Sequence, residues 1–225
     1  EIISILLKYG FEDIVVNTHL YNYLPNRTKI KWTREGSPVN EINRFERIRM
    51  ATEELGPTFI KLAQVLSNRP DLLPDELIRE LEKLQSQVPP FEFKYVRSII
   101  KGETGREIEE LFIDFEEKPI GSASIGQVHK AQLLNGYEVV VKVQRPGVRR
   151  LVETDLSILR YLVVTGEAYL KENGIINAID IVNAFDASMQ KELNYKNEAR
   201  NIEAFRHFYQ SAKDFYIPKA YKEYT

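Results

Sequence analysis

An Asn-Gly dipeptide flanked by strand-forming residues is the sequence feature that most restricts how this chain can fold. Asn135-Gly136 lies within residues 133–138 (LLNGYE), and both residues accept the positive φ angles that a tight type I′ turn requires. The valines after the turn alternate, so that one strand face carries Val139, Val141 and Val143. Val140 and Lys142 fall on the other face. The sequence therefore predicts a hairpin within a strand-forming segment that runs from Pro119 to Val143.

A run of small residues precedes this hairpin. It reads Gly121, Ser122, Ala123, Ser124, Ile125, Gly126, Gln127 and Val128. Small side chains let backbone N–H groups approach an anion closely, and glycine adopts whatever dihedral angles this requires. The run is not a Walker A motif, because Gln127 stands in place of its lysine and a strand rather than a helix follows. The following strand also excludes a Rossmann fingerprint.

Lys142 completes a pattern with this loop. A loop between two antiparallel strands, followed by a Val-Val-Val-Lys strand, is the layout of a protein-kinase N-lobe. There the loop covers the triphosphate, and the lysine contacts the α- and β-phosphates. Such a lysine needs a carboxylate on the next packed helix, because an unpaired buried ammonium is costly, and we predict Glu198. Each part alone also fits an ordinary loop, a snorkelling lysine or a solvated glutamate; their order favours the kinase-like site.

The chain before the sheet has helical patterns. Five apolar residues recur at the spacing of a buried helix face, namely Leu73, Leu77, Leu81, Leu84 and Val88. This helix begins at Pro74 and is ended by Pro89-Pro90. Another helix is expected from about Arg44 to Leu55, and it resumes after Gly56-Pro57. Its second part directs inwards the apolar residues Phe59, Leu62, Val65 and Leu66.

The remaining segments complete the expected architecture. A short helical stretch over residues 91–112 is broken at Gly102 and Gly105, and helices return over about 147–172 and 177–211. Residues 215–218 look like the approach to another strand. We therefore predict an α+β fold with a mostly helical extension over residues 1–114. Residues 115–225 then form an incomplete kinase-like N-lobe, in which an antiparallel sheet packs on an αC-type helix and carries a helical insertion.

Composition excludes several classes of function. The 225 residues carry 31 Lys and Arg against 33 Asp and Glu, a net charge of −2, which argues against a nucleic-acid partner. The absence of cysteine excludes disulfides, thiolate metal sites and a cysteine nucleophile, and it fits a reducing compartment. The histidines His19, His129 and His207 lack metal-ligand spacing, so no metal site is predicted among these residues. No apolar run approaches the roughly 18 residues of a membrane span.

Four longer motifs resemble the UbiB family of atypical protein-kinase-like proteins. They are residues 54–74 (ELGPTFIKLAQVLSNRPDLLP), 122–129 (SASIGQVH), 141–148 (VKVQRPGV), and 192–195 (ELNY) with 198–201 (EARN). The resemblance implies a kinase fold that binds an adenine nucleotide, ATP, with a helical extension folded over the active site. It also implies a role in isoprenoid-quinone (ubiquinone-type) biosynthesis or lipid metabolism, as an ATPase on lipid-linked or unidentified targets.

The resemblance also assigns roles to residues outside the sheet. The family's Lys-x-Gly-Gln motif maps onto residues 61–64, and in the family it lies in the nucleotide pocket and blocks the path of a peptide substrate. Lys61 and Gln64 share a helix face and project together, and Glu192 is expected to pair with Lys61. The chain departs from the family where Ala63 replaces the motif's glycine and Asn194 replaces the aspartate of the Glu-x-Asp motif.

A third departure lies in the loop, which begins with Gly121-Ser122 where the family has two alanines. We expect the extra flexibility to make this loop behave more like that of ordinary kinases.

The kinase-type parts that follow an N-lobe do not occur in these residues. They are a hinge strand for adenine, a catalytic-loop Asp and Asn, and an Asp-Phe-Gly segment for Mg²⁺. We therefore interpret the chain as the front half of a longer protein, whose Mg²⁺ ligands and any C-terminal membrane anchor lie beyond Thr225. Residues 1–225 alone are expected to be inactive, to bind nucleotide weakly at best, and to self-associate through an uncovered apolar face.

Three interpretations of the function stay open. The first is a UbiB-type ATPase or kinase, the second a nucleotide-sensing or regulatory module without turnover, and the third a helical interaction protein with an incidental hairpin. Expected partners are an adenine nucleotide, a lipid or quinone precursor, and quinone-biosynthesis proteins. The expected location is the cytoplasm, at the membrane surface. The apolar N-terminal residues, from Ile2 to Ile14, either contact a membrane or pack against the body of the protein.

Overall fold

The computed structural model describes residues 2–18, 42–71, 73–84, 88–172, 177–211, 214 and 216–224. The contacts within the chain divide it into two compact units, residues 1–87 with 150–185 and residues 88–149 with 186–225. These units do not follow the predicted boundary between residues 114 and 115, which was drawn where the helical pattern gives way to strands. That division into sequence domains stays a prediction. His19 lies outside the described residues.

The N-terminal part of the first unit is helical. Its helices are α1 (Ile2–Lys8), α2 (Glu12–Asn17), α3 (Arg44–Leu55), α4 (Pro57–Ser67) and α5 (Asp75–Leu81). The Asn43 side chain caps α3 by accepting a hydrogen bond from Phe45 N at 2.9 Å. Gly56, at φ 97°, separates α3 from α4, and Pro57 occupies the first turn of α4. The predicted helix from Arg44 to Leu55 and its restart are therefore confirmed.

The leucine face predicted from spacing forms a core in the first unit. Leu77, Leu81 and Leu84 are buried in one cluster with Ala63, and Leu73 packs against it. The helix itself is shorter than predicted, because α5 ends at Leu81 and Pro89-Pro90 do not terminate it. On α4 the buried apolar residues are Phe59 and Ala63, whereas Leu62, Val65 and Leu66 are half-buried. Because the small side chain of Ala63 packs against these leucines, the face of α4 that carries Ala63 is the one turned towards the core.

The apolar N-terminal helices also pack within the first unit. One cluster contains Ile5, Tyr9, Phe11 and Ala51, and a second contains Leu7 and Val15. The apolar residues of α1 and α2 therefore pack within the first unit. Their contact with a membrane stays a prediction. No helix in the described ranges combines the length and the apolar character that a membrane crossing needs.

The second unit contains the sheet. Its N-terminal elements are α6 (Phe93–Thr104), a 3-10 turn (Ile108–Glu110) and the strands β1 (Phe112–Phe115), β2 (Gly121–Ser122), β3 (Gly126–Leu133) and β4 (Glu138–Gln144). Of the later helices, α10 (Tyr195–Phe208) belongs to this unit, and α9 (Ala178–Glu192) begins in the first unit and ends in the second. Helices α7 (Val148–Thr165), from residue 150 onwards, and α8 (Glu167–Glu172) belong to the first unit. Helix α6 runs through Gly102 and ends at Gly105, whose φ of 72° suits a glycine C-cap.

Strand β3 is the centre of the antiparallel sheet. Its whole length pairs with β4, in a register that sets Val128 opposite Lys142 and Gly126 opposite Gln144. On its other edge, β1 pairs with the C-terminal half and β2 with the N-terminal half. The loop of small residues thus connects β2 to β3 at the end of the sheet where β4 leaves it.

The β3–β4 hairpin is present, but its turn differs from the predicted type I′ form. Gly136 has φ 86°, whereas Asn135 has a negative φ. Gly136 N donates to Leu133 O at 2.8 Å, and Leu133 N donates to Tyr137 O at 2.9 Å. This is a turn centred on Leu134 and Asn135 followed by a left-handed glycine, the alternative hairpin geometry with a bulge.

The predicted alternation of β4 is confirmed. Val143 belongs to a core cluster with Val96, Ile100, Leu111 and Ala131, and Val139 and Val141 pack against it. Val140 is 64% exposed, and Lys142 is also exposed. The strand expected near residues 215–218 is not found in residues 216–218; instead a 3-10 turn (Lys222–Tyr224) follows, and Tyr221 and Tyr224 pack against the same core.

Candidate functional site

An ion pair joins the sheet to α10 in the second unit. The ammonium Nζ of Lys142 lies 2.6 Å from Glu198 Oε2. The two side chains are 39% and 49% exposed, so the pair is less buried than the sequence predicted. Glu198 stands in the first turn of α10, where the positive end of the helix dipole stabilises a carboxylate. An accessible ammonium held by a carboxylate is able to contact a further anion.

The start of α10 is fixed by its own cap and by β4. Asn194 is the N-cap residue, and its side chain accepts from Asn197 N at 3.3 Å. Gln144, two positions after Lys142 and therefore on the same strand face, donates from Nε2 to Leu193 O at 2.9 Å. The amide that replaces the family's aspartate therefore keeps the capping chemistry, since Asn and Asp are equally good N-cap residues.

Tyr195 lies between the ion pair and the loop. The Lys142 ammonium sits 4.6 Å from the centre of the Tyr195 ring, within range of a cation–π interaction. The Tyr195 hydroxyl is buried, and it has no hydrogen-bond partner among the described residues. Burial, followed by the charges of Glu198 and Glu192, raises the pKa of this hydroxyl. Tyr195 therefore stays protonated, as a donor, throughout the physiological range.

Gly126 is packed too tightly to carry a side chain. A methyl group at this position would collide with the Tyr195 hydroxyl and lie 2.6 Å from Val143 O. Within the loop, Ala123 N donates to Gly126 O at 2.8 Å. At Gly121, by contrast, a methyl group would meet none of the described residues within 4 Å. The C-terminal arm of the loop thus lies directly on β4 and on Tyr195, the same residue whose ring contacts the Lys142 ammonium.

The side chain of Gln127 is buried where the loop meets β3. It is 1% exposed, and its Oε1 accepts from Phe91 N at 2.9 Å while Nε2 donates to Phe91 O. Nε2 also lies 2.9 Å from Nε2 of buried His129, whose Nδ1 faces Glu116 O at 2.8 Å. Strand alternation turns residues 127 and 129 inwards and Gly126 and Val128 outwards. Any contact of Gln127 with a nucleotide is therefore left to its backbone.

Arg145 ties the loop to the chain before the sheet. Its Nη2 lies 2.9 Å from Pro89 O, and 3.4 Å from both Ser122 Oγ and Ala123 O. Its backbone N donates to Ile125 O at 2.8 Å. The side chain and the backbone of Arg145 thus both hold the loop.

The remaining predicted site residues fall in different units. Lys61 and Gln64 are half-buried on α4 in the first unit. Glu192 ends α9 in the second unit, near enough to Tyr195 to raise the pKa of that hydroxyl. The meeting of Lys61 with Glu192 stays a prediction. In the part of the chain that the structure describes, no group of three or more His, Asp or Glu residues is arranged to hold a metal ion.

Sequence reasoning gave no role to Tyr195, Gln144 or Arg145, although all three stood in its motifs. A signal was available for two of them. Tyr195 precedes Glu198 by three positions and so shares its helix face, and Gln144 follows Lys142 by two positions on a strand. Arg145 gave no such signal, because its partners in residues 89–91 are distant in the chain.

Comparisons with known proteins identify the family of this chain. Residues 83–225 match the family described as the ABC1 atypical kinase-like domain. A probable protein kinase UbiB from Marinobacter nauticus is 39% identical over 188 residues, which cover 84% of this chain and 34% of that protein. A protein of the same name from Aeromonas hydrophila is 38% identical over 231 residues, covering 100% of this chain and 41% of its own length. The chain thus spans about two fifths or less of these curated relatives.

A solved structure supports the same assignment. The Mycobacterium tuberculosis protein Rv3197, described in complex with erythromycin, matches with a TM-score of 0.51 and 32% identity, covering 74% of this chain and 42% of that one. The predicted fold class, α+β with an incomplete kinase-like N-lobe, is confirmed. By its sequence match and by these relatives, the chain belongs to the ABC1 atypical kinase-like family of UbiB-type proteins.

Proposed function

We propose that this chain is the N-terminal part of a UbiB-type atypical kinase or ATPase, and that its second unit binds ATP. The observation that carries the proposal is the Lys142–Glu198 ion pair, which lies opposite Val128 and beside the loop that Gly126 ends. A positively charged side chain, oriented by a carboxylate and adjacent to a loop of small residues, is the arrangement with which kinase-like proteins hold phosphates.

The residues present fit a nucleotide phosphate group. Gly126 lies so close to Val143 O and to the Tyr195 hydroxyl that a side chain would collide with both, and this protonated hydroxyl is buried with no partner among the described residues. Lys142 is accessible enough to contact an anion while it remains paired. We assign phosphate contacts to Lys142 and to the backbone of residues 121–128. ATP, when bound, would supply a transferable phosphoryl group.

Other assignments extend the proposal to the rest of the protein. Lys61 and Gln64 would enter the nucleotide pocket from the helical extension, with Glu192 holding Lys61. Mg²⁺ would be held by residues outside this chain. The full-length protein would support isoprenoid-quinone or lipid metabolism at the membrane surface. The relatives named probable protein kinase UbiB support the kinase part of the proposal.

Titration of the full-length protein with Mg-ATP tests the proposal. ATP binding and hydrolysis are compared in the wild type, in Lys142→Ala and in Lys61→Ala. We expect turnover in the wild type and its loss in Lys142→Ala. Lys130→Ala is the matched control, because exposed Lys130 lies on the same face of neighbouring β3, opposite Val140; this variant should bind and hydrolyse ATP like the wild type.

The outcomes separate the alternatives. Wild-type binding without turnover, lost in Lys142→Ala, would favour the nucleotide-sensing module over the enzyme. Absence of wild-type binding, or equal effects of Lys142→Ala and Lys130→Ala, would overturn the proposal. The isolated 225-residue chain should show no hydrolysis, and a hydrolysis rate that Lys142→Ala removes from this fragment would contradict the expected need for further residues.

A further inference from the structure

Arg145 makes contacts that the proposed nucleotide site does not use. Its guanidinium lies 5.3 Å from the centre of the Phe91 ring and donates to Pro89 O at 2.9 Å. The same Nη2 reaches Ser122 Oγ and Ala123 O, each at 3.4 Å. One guanidinium group therefore connects the first residues of the loop to the segment formed by residues 88–91.

The main chain of Arg145 holds the other side of the loop. Its N–H donates to Ile125 O at 2.8 Å, while inside the loop Ala123 N donates to Gly126 O. The loop is thus fixed at Ser122 and Ala123 by the side chain and at Ile125 by the backbone of one residue. Gln127 reinforces this arrangement, because its side chain bonds both backbone groups of Phe91.

The environment of the guanidinium favours a fixed position. Burial lowers the pKa of Arg145, but a guanidinium keeps its charge in proteins. Its Nε is buried, and it has no hydrogen-bond partner among the described residues. Because a partly buried cation is costly to leave unsatisfied, its bonds to Pro89, Ser122 and Ala123 favour one position of the side chain.

We propose that Arg145 is a positioning residue for the loop: it holds residues 121–125 against residues 88–91, and so controls how fast a nucleotide enters and leaves. The inference rests on the proposed nucleotide site. It assigns a specific part to Ser122, whose hydroxyl accepts from Arg145 where an alanine has no acceptor. The sequence predicted a flexible start of the loop at Gly121. The hydrogen bond from Arg145 to the hydroxyl of neighbouring Ser122 restrains this part of the loop.

Hydrogen–deuterium exchange of the loop amides, measured on the full-length protein without nucleotide, tests the positioning role directly. We expect exchange at residues 121–125 to be about tenfold faster in Arg145→Gln, since a hydrogen bond to a charged donor typically corresponds to a factor of this size or more. Ser122→Ala, a small change that the fold should tolerate, is expected to accelerate exchange by a few fold. Arg145→Lys keeps the charge but replaces the planar guanidinium with a compact ammonium, so its loop exchange rate should lie between those of the wild type and Arg145→Gln.

The matched control is Arg149→Gln. Arg149 also follows β4, and it contacts Gln190 Oε1 and Leu193 O rather than the loop. This variant should leave loop exchange at the wild-type rate. Thermal melting of every variant separates a local effect from general unfolding, because a merely structural role would accelerate exchange throughout the second unit in proportion to the lost stability.

Dissociation of a fluorescent ATP analogue, followed by stopped flow, tests the consequence for the ligand. Faster loop exchange with dissociation accelerated about tenfold in Arg145→Gln would support the inference. Wild-type binding with unchanged dissociation in both Arg145→Gln and Ser122→Ala would overturn it while leaving the proposed function intact. If the wild type binds no nucleotide, the proposed function fails, and the exchange measurement alone decides whether Arg145 positions the loop.

Discussion

Lys142 on β4 and Glu198 on α10 are in contact at 2.6 Å, although they lie 56 positions apart in the chain. Both side chains are more than one-third exposed, and exposed pairs contribute about 1 kcal/mol or less to stability. The fold therefore does not depend on this pair. The pair instead orients an accessible ammonium beside Tyr195 and the loop. Its effect on stability and its effect on nucleotide binding can therefore be tested separately.

The first prediction concerns Glu198→Gln. The free energy of unfolding should change by less than about 1 kcal/mol, because the pair is exposed. The affinity for Mg-ATP should fall about tenfold or more, since Lys142 loses the partner that orients it. Chemical denaturation measures the first quantity, and titration of the full-length protein measures the second.

A second surface pair in the same unit provides the control. Arg97 Nη2 lies 2.5 Å from Glu109 Oε1, with side-chain exposures of 43% and 62%. Glu109→Gln should change stability as little as Glu198→Gln and leave nucleotide affinity at the wild-type value. Equal affinities in these two variants would show that Glu198 has no special part in the site.

The second prediction concerns Gly126→Ala. The added methyl group would collide with the Tyr195 hydroxyl and with Val143 O, so we expect a loss of about 1–3 kcal/mol of stability from forced overpacking. The methyl group of Gly121→Ala would meet nothing within 4 Å in the described part of the chain, so this variant should be close to neutral in stability. Thermal or urea unfolding compares the two variants. Equal stability of both would mean that the loop does not lie on Tyr195 in solution.

The third prediction concerns the buried hydroxyl of Tyr195. Tyr195→Phe removes a polar group that has no partner among the described residues, and burying such a group costs about 1–3 kcal/mol. The variant should therefore be as stable as the wild type or more stable, as measured by urea unfolding without nucleotide. A clear loss of stability would show that the hydroxyl has a partner in the free protein.

The sequence predicted the parts of the site that strand and helix periodicity determine. Alternation on β4 separated the buried face of Val143 from the exposed face of Lys142, and the need of that lysine for a carboxylate indicated Glu198. Spacing likewise gave the leucine core of α5. These features follow from local geometry, so they could be derived before any contact was known.

Other features depend on contacts between distant parts of the chain, which no local pattern contains. Gln127 and His129 are polar and carry no sequence signal for burial, yet both are buried, and Phe91 offers its backbone groups to Gln127. Nothing near Arg145 in sequence indicates that Pro89 accepts its hydrogen bond. The hairpin turn differed for another reason, since Asn-Gly is compatible with more than one turn geometry.

The fourth prediction concerns the pH dependence of stability in the first unit. Glu80 contacts Lys83, and its Oε2 lies 3.1 Å from Arg49 Nε. The hydrogen bond from Lys83 lowers the pKa of Glu80 below its ordinary value of 4.5, and the bond from Arg49 acts in the same direction. A carboxylate with a lowered pKa stabilises the folded state above its unfolded pKa, and this stabilisation is lost as the pH falls through the folded pKa.

The variant Glu80→Gln should therefore be less stable than the wild type near neutral pH. The difference should begin to shrink as the pH falls below about 4.5, and it should approach zero once the pH is below the lowered pKa of the folded protein, where the carboxylate is protonated in both states. Urea unfolding at several pH values measures this convergence. The variant Glu109→Gln, which removes an exposed carboxylate paired with Arg97 in the other unit, is compared in the same unfolding measurements. A difference between Glu80→Gln and wild type that stays constant with pH would show that the ion pairs do not cause it.

The fifth prediction separates capping from charge at Asn194. Its side chain accepts from Asn197 N and begins α10, the helix that carries Glu198. Asn194→Ala should cost about 1 kcal/mol of stability, within the usual range of about 0.5–2 kcal/mol. Asn194→Asp should match or slightly exceed the wild type, because aspartate caps equally well and its charge favours a helix N-terminus. Urea unfolding measures all three proteins.

Asn43→Ala is the matched control for this cap. Asn43 begins α3 by accepting from Phe45 N at 2.9 Å, so its loss should cost stability in the first unit to a similar extent. Nucleotide affinity should fall in Asn194→Ala, because fraying of the first turn of α10 displaces Glu198 from Lys142, and it should not fall in Asn43→Ala. If Asn194→Ala and Asn43→Ala weaken nucleotide binding equally, the cap acts only through overall stability, and the position of Glu198 is not what Asn194 controls.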